Sequence, residues 1–148
     1  MKSVFEAATR EELIRRVSSV SDQHKALWGK MNAFQMVKHC TLEEDMFHGN
    51  IKIKRIFIGR LIGKLFLKKE LKEGQQLTKN APTSPVIMTM GQSGDIEQQK
   101  KEWINRIGHY SDFKNQDFVH PFFGPMTKEQ IGWFAYKHAD HHLRQFGV

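Results

Sequence analysis

Residues 138–142 read His-Ala-Asp-His-His, within a helix-patterned stretch that closes the chain. At about 100° per helical residue, His138 and His142 point the same way, about 40° apart. Ile131, Phe134 and Ala135 fall on the same stripe, so the two imidazoles stand where apolar core residues are expected. Two imidazoles at i, i+4 on an apolar face are either a costly burial of polar groups or half of a metal site. His39, mid-way along another helix-patterned stretch, is the candidate third ligand. Three neutral imidazoles with one position left open are the pattern of a catalytic metal site. Such donors suit one divalent transition metal, zinc or nickel first, with iron, manganese or copper also open.

The neighbours of this set define its surroundings. Glu43, four residues after His39, is placed either to hold a ligand ring or to act as a base. Gln35, on the same side of that helix, is the other candidate acceptor for a ring N–H. His141 lies about 60° off the stripe, on its flank, where it could shuttle a proton. His120 precedes Pro121 in a loop and either reaches the mouth of the site or caps a turn. His24, His48 and His109 fall near helix ends and read as solvated. Cys40 is rotated about 100° from His39, so no Cys–His pair is implied. Binding is expected to weaken below about pH 6, where free imidazole becomes protonated.

Helices must position these groups. Thr9-Arg10-Glu11-Glu12 reads as a capping box, followed by Leu13, Val17 and Val20 at helical spacing and an end near Asp22 to His24. Asn32-Ala33-Phe34-Gln35 opens a second helix that carries His39 and stops at Gly49-Asn50. Phe57, Ile58, Leu61, Ile62 and Leu65 form another helical stripe, expected to pack on the rest of the chain or on a second copy. Pro82, Pro85, Gly91 and Gly94 break the pattern between 74 and 94, where Val86–Met90 suggests a brief extended passage. Asp95 caps a helix with Ile96, Trp103, Ile104 and Ile107 as its buried face. Thr127-Lys-Glu-Gln130 is a further capping box and starts the last helix. The reading is a single all-α domain over 1–148, four main helices with one basic helical insertion at about 52–72.

Charge is local. The 148-residue chain carries a net charge of +7. Lys52, Lys54, Arg55, Arg60, Lys64, Lys68, Lys69 and Lys72 face a single acid, Glu70, within 52–72. Any binding to a polyanion must therefore rest on that segment. No stretch approaches the roughly 20 apolar residues of a membrane span, and the N-terminus lacks the apolar run of a signal peptide. The one cysteine, Cys40, excludes an intramolecular disulfide, so a reducing cytoplasm is expected.

Two stretches carry a resemblance. Trp28-Gly-Lys-Met31-Asn-Ala-Phe-Gln-Met36-Val-Lys-His39-Cys40 and the closing His138-Ala-Asp-His141-His142-Leu-Arg144-Gln145-Phe146-Gly147 resemble the DinB-like superfamily of metal-binding four-helix bundles. The chain is most similar to an uncharacterised branch with a comparable His-His-Leu-Arg-Gln-Phe-Gly ending and a comparable Phe118-Val-His120-Pro-Phe-Phe-Gly124 stretch. The resemblance implies an up-down-down-up bundle, often a homodimer, with the metal triad on His39, His138 and His142. It also implies a metal-dependent hydrolase, or a transferase or isomerase that uses a small thiol, without choosing between them.

Two classes of function stay open on the residues alone. In the first, the ion activates water or a thiol on a small-molecule substrate, with Glu43 or His141 moving the proton. In the second, the histidines hold the bundle together and the basic insertion docks on a membrane, a nucleic acid or a protein partner. Phe57 and Phe66 are the insertion's only rings, too few for a base-stacking platform. A homodimer is expected because the stripe at 57–65 and the cluster Trp133, Phe134, Phe122 and Phe123 exceed what one small bundle buries comfortably.

Overall fold

The computed structural model describes residues 1–148. Five helices dominate: α1 (Ala7–Ser19), α2 (Ala33–His48), α3 (Phe57–Glu70), α4 (Ile96–Gly108) and α5 (Lys128–Gln145). The only strands are β1 (Val119–His120) and β2 (Gly124–Pro125), which pair antiparallel with His120 opposite Gly124. The chain is all-α apart from this short hairpin. Both α1 and α2 pack against α4 and α5, whereas α3 rests on β2. Leu13, Met36, Trp103 and Ile131, one from each of α1, α2, α4 and α5, are fully buried. Each such side chain contributes about 1.5–3 kcal/mol through apolar area removed from water.

Local chemistry sets most helix ends. Asn32 and Thr127 each close a reciprocal capping box with the glutamine three residues on, at the starts of α2 and α5. The Asp95 carboxylate accepts from two backbone N–H groups at the start of α4, and Gly49 ends α2 in the left-handed conformation. The box expected at Thr9 does not form. α1 starts at Ala7, and the buried Thr9 hydroxyl donates to Glu6 inside the first turn. The anchor lies just before it: Val4 is fully buried, and its carbonyl accepts from Arg10. Val86–Met90 is not extended throughout either. Pro85 opens a single 3-10 turn over Pro85–Ile87, and the Ser84 hydroxyl accepts from the Val86 N–H.

α3 is turned opposite to the expectation. Its buried residues are Gly59, Gly63, Leu67 and Glu70, while Phe57, Ile58, Leu61 and Leu65 face solvent. The cause is a backbone seat. A Cβ on Gly59 or Gly63 would stand 2.4 or 2.0 Å from the Phe122 carbonyl oxygen. Only side-chain-free positions let the helix lie this close. Gly63→Ala should therefore cost about 1–3 kcal/mol through overpacking, read as a lower urea midpoint. Gly108→Ala, where an added Cβ meets nothing, should leave the midpoint nearly unchanged. The aromatic cluster is largely internal as well: Phe123 and Phe134 are buried, Phe122 and Trp133 partly so. It therefore gives no ground for a second copy.

Candidate metal centre

His39 projects from the middle of α2 towards the last turns of α5, which carry His138 and His142. The candidate ligand atoms of these three rings lie within 4.8 Å of one another. His39 Nε2 and His138 Nε2 are 3.3 Å apart. Two nitrogens bound at about 2.0–2.1 Å to one tetrahedral ion stand roughly 3.3–3.4 Å apart, so this pair already has the spacing of joint ligands.

The outer nitrogens fix two of the rings. His39 Nδ1 is 3.0 Å from the Ile87 carbonyl oxygen, which can only accept, so Nδ1 carries the proton. His142 Nδ1 is 2.8 Å from Gln145 Oε1. The Gln145 amide nitrogen donates to the Trp28 carbonyl at 2.6 Å, which turns its oxygen towards His142. Both rings therefore carry the proton on Nδ1 and keep an Nε2 lone pair free for the cluster. This is the arrangement that orients metal-binding histidines.

Electrostatics keep the set neutral. His39 and His142 are buried, and His138 is partly exposed. Burial is the first cause in each case. It lowers His39, holds His138 well below the usual imidazole range with help from the His142 and His39 rings, and pushes His142 down to about 3. Protons should therefore compete for these nitrogens at lower pH than for free imidazole, most clearly at His138 and His142.

The remaining histidines and polar neighbours divide clearly. Gln35 does not serve a ring. Its side chain closes the capping box with Asn32 and donates to the Gln92 carbonyl, which holds it at the helix start. No hydrogen bond joins Glu43 to any of the three rings. Glu43 is buried beside Glu44, and burial, then the Glu44 charge, pushes its carboxyl up to about 8. His141 stands outside the triad, edge-on to His142 at 5.1 Å and to Trp28 at 5.5 Å. It lines a surface cleft of about 390 Å³ together with Trp28, Tyr136, Lys137 and Arg144, and none of the three clustered rings lines that cleft.

His120 caps a turn. Its Nδ1 accepts from the Phe122 and Phe123 N–H groups at 3.1 Å each, and its ring stacks on Phe123. His48 is not free in solvent as its place near a helix end suggested. It packs on Tyr110 and bonds the Arg106 carbonyl. His24 is half-buried and its Nδ1 accepts from the Ser21 N–H, while His109 is exposed.

Two functional groups escaped the sequence reading. Gln145 lies three residues after His142 on the same face, a spacing that could have revealed it. The Ile87 carbonyl is backbone, and no residue type announces it.

Residues 4–147 match the family described as "Protein of unknown function (DUF1569)", and the chain belongs to that family. No curated protein matches the chain, and no solved structure does.

Proposed function

We propose that this is a divalent-metal protein of the DinB-like kind. In this reading α1, α2, α4 and α5 are the up-down-down-up bundle, α3 is the basic insertion between its second and third helices, and His39, His138 and His142 hold one ion. One observation carries it: two of three clustered imidazoles are locked by Nδ1 partners so that their Nε2 lone pairs converge with His138. Imidazole-only donors favour zinc or nickel. A bound ion supplies Lewis acidity and lowers the pKa of a water or thiol, which suits a metal-dependent hydrolase or thiol-dependent transferase.

The chain's own residues fill the remaining roles. The cleft beside the centre takes a small-molecule substrate, with Trp28 and Tyr136 as its aromatic wall. His141 lines that cleft beside the His142 ring, so it is placed to exchange a proton with a substrate bound there. Glu43, one turn beyond His39 on α2, retains its proton at neutral pH and bonds none of the three rings, so this reading gives it no role as a base.

Elemental analysis of the purified protein, then calorimetric titration of chelator-treated protein with zinc and nickel, tests the metal. One ion per chain is expected, and none at micromolar ion would overturn the reading. Gln145→Ala should weaken binding about 10–100-fold, the usual effect of removing a group that orients a ligand ring, while Gln35→Ala should leave it unchanged. Hydrolysis or thiol transfer that stops on chelation and returns with the ion would establish an enzyme.

A further inference from the structure

The outer face of α3 joins exposed apolar side chains to unpaired cations. Phe57 is 74 % exposed, Leu61 and Leu65 are 69 % each, and Ile58 is 48 %. At about 100° per residue these four side chains span about 100° of the helix circumference. The buried residues Gly59, Gly63, Leu67 and Glu70 occupy the opposite side. The seat of the two glycines on the Phe122 backbone leaves no room for a side chain at those two points of contact, so the apolar stripe cannot roll inward.

The cations frame that stripe. Arg60 and Lys64 lie on one flank, Lys69 on the other, and Lys68 at its end, with Lys52, Lys54 and Lys72 before and after the helix; all are exposed. None of these seven makes an ion pair. The segment's only acid, Glu70, is buried and accepts from the N–H and hydroxyl of Thr78. We propose that α3 docks this protein on the surface of an anionic bilayer. Phe57, Ile58, Leu61 and Leu65 enter the headgroup boundary, and the flanking lysines and arginine lie among anionic headgroups.

Charge and shape select this occupant. A second copy seated face to face would bring two unpaired basic segments together with no acid to answer them. A nucleic acid would take up the cations but leave the four apolar side chains in water. A fluid, negatively charged interface satisfies both and needs no shape complementary to a convex helix. At about 1.5 Å per residue, the 14 residues of α3 cover roughly 21 Å, short of the roughly 30 Å hydrocarbon core. No helix of this chain is long and apolar enough to cross a membrane. The helix lies on the surface instead.

Co-sedimentation of the full chain with vesicles of phosphatidylcholine, alone or with about one-third phosphatidylserine, tests the proposal at about 0.1 M salt. Binding to the anionic vesicles should exceed that to neutral ones by about tenfold or more and fall steeply with salt. Leu61→Ser with Leu65→Ser, and separately Lys64→Glu with Lys68→Glu and Lys69→Glu, should each lower it by about tenfold. All five positions are exposed, so far-UV circular dichroism should not change. Several results would overturn the proposal. One is equal binding to both vesicle types, or none. Another is anionic binding that the leucine pair does not affect. A third is duplex DNA bound more tightly than the vesicles. The last is a concentration-dependent dimer that the leucine substitutions dissociate, which would assign the face to a second copy. None of the variants touches the three histidines, so this result stands apart from the metal reading.

Discussion

Replacing His39 or His142 by alanine should abolish divalent-ion uptake, and with it an ion-dependent rise of roughly 10 °C in the thermal midpoint. An ion that binds only the folded chain stabilises it by about 4 kcal/mol at a free concentration a thousandfold above the dissociation constant. For a chain of this length each kcal/mol shifts the midpoint by roughly 2–4 °C. The comparison that matters is the response to the ion within each variant, because deleting a buried ring also changes the apo protein. Wild type should respond and the two variants should not. His141→Ala should respond nearly as wild type, since that ring stands outside the converging nitrogens. Equal responses in wild type and His142→Ala would place the ion elsewhere.

What the sequence made legible follows the range of the interactions. The capping residues Asn32, Asp95 and Thr127 were readable because a short polar side chain meets backbone N–H groups two or three residues away. The i, i+4 histidines were readable for the same reason, since helical geometry alone puts them on one side. The third ring needed a guess about which helix faces which, and a mid-helix histidine on an apolar side sufficed.

The orientation of α3 was not legible, and the failure is instructive. An amphipathic pattern says that one side is apolar, and burial is the default inference. Here Gly59 and Gly63 make the opposite side the better seat, because backbone can approach backbone where no side chain intervenes. Phe57, Leu61 and Leu65 thereby become surface. The Thr9 box failed in a similar way: the local signal was present, but with Val4 packed before it the helix starts three residues earlier.

The apo protein should be most stable near pH 6.5 and lose stability on both sides. On the acid side, unfolded imidazoles take up protons near 6.5, whereas His120 and His142 are pushed down to about 3 and His39 and His138 are also lowered, all by burial first. Between those values the unfolded chain binds more protons, so stability falls as pH falls through 6.5. On the alkaline side, burial raises Glu43 to about 8 and Glu44 to about 7 from 4.5, although the Tyr110 hydroxyl donates to Glu44 and pulls it back. The folded chain then keeps protons that the unfolded chain has released. That contribution is fully present below 4.5 and is lost as pH rises through 7 and 8. From 4.5 to 6.5 these four rings, joined by His48 and His141, which burial also lowers, oppose two carboxyls, and the rings set the slope; above 6.5 the carboxyls act first, and the buried Cys40 thiol, also raised by burial, adds to the same loss towards pH 9. One proton of difference is worth about 1.4 kcal/mol per pH unit, so the loss from pH 6.5 to 8.5 is about 2–3 kcal/mol. Urea midpoints in chelator across pH 5–9 measure it, and Glu43→Gln should flatten the alkaline limb because a neutral amide has no proton to lose. A wild-type protein more stable at pH 8.5 than at 6.5 would show that Glu43 and Glu44 ionise as freely in the fold as outside it.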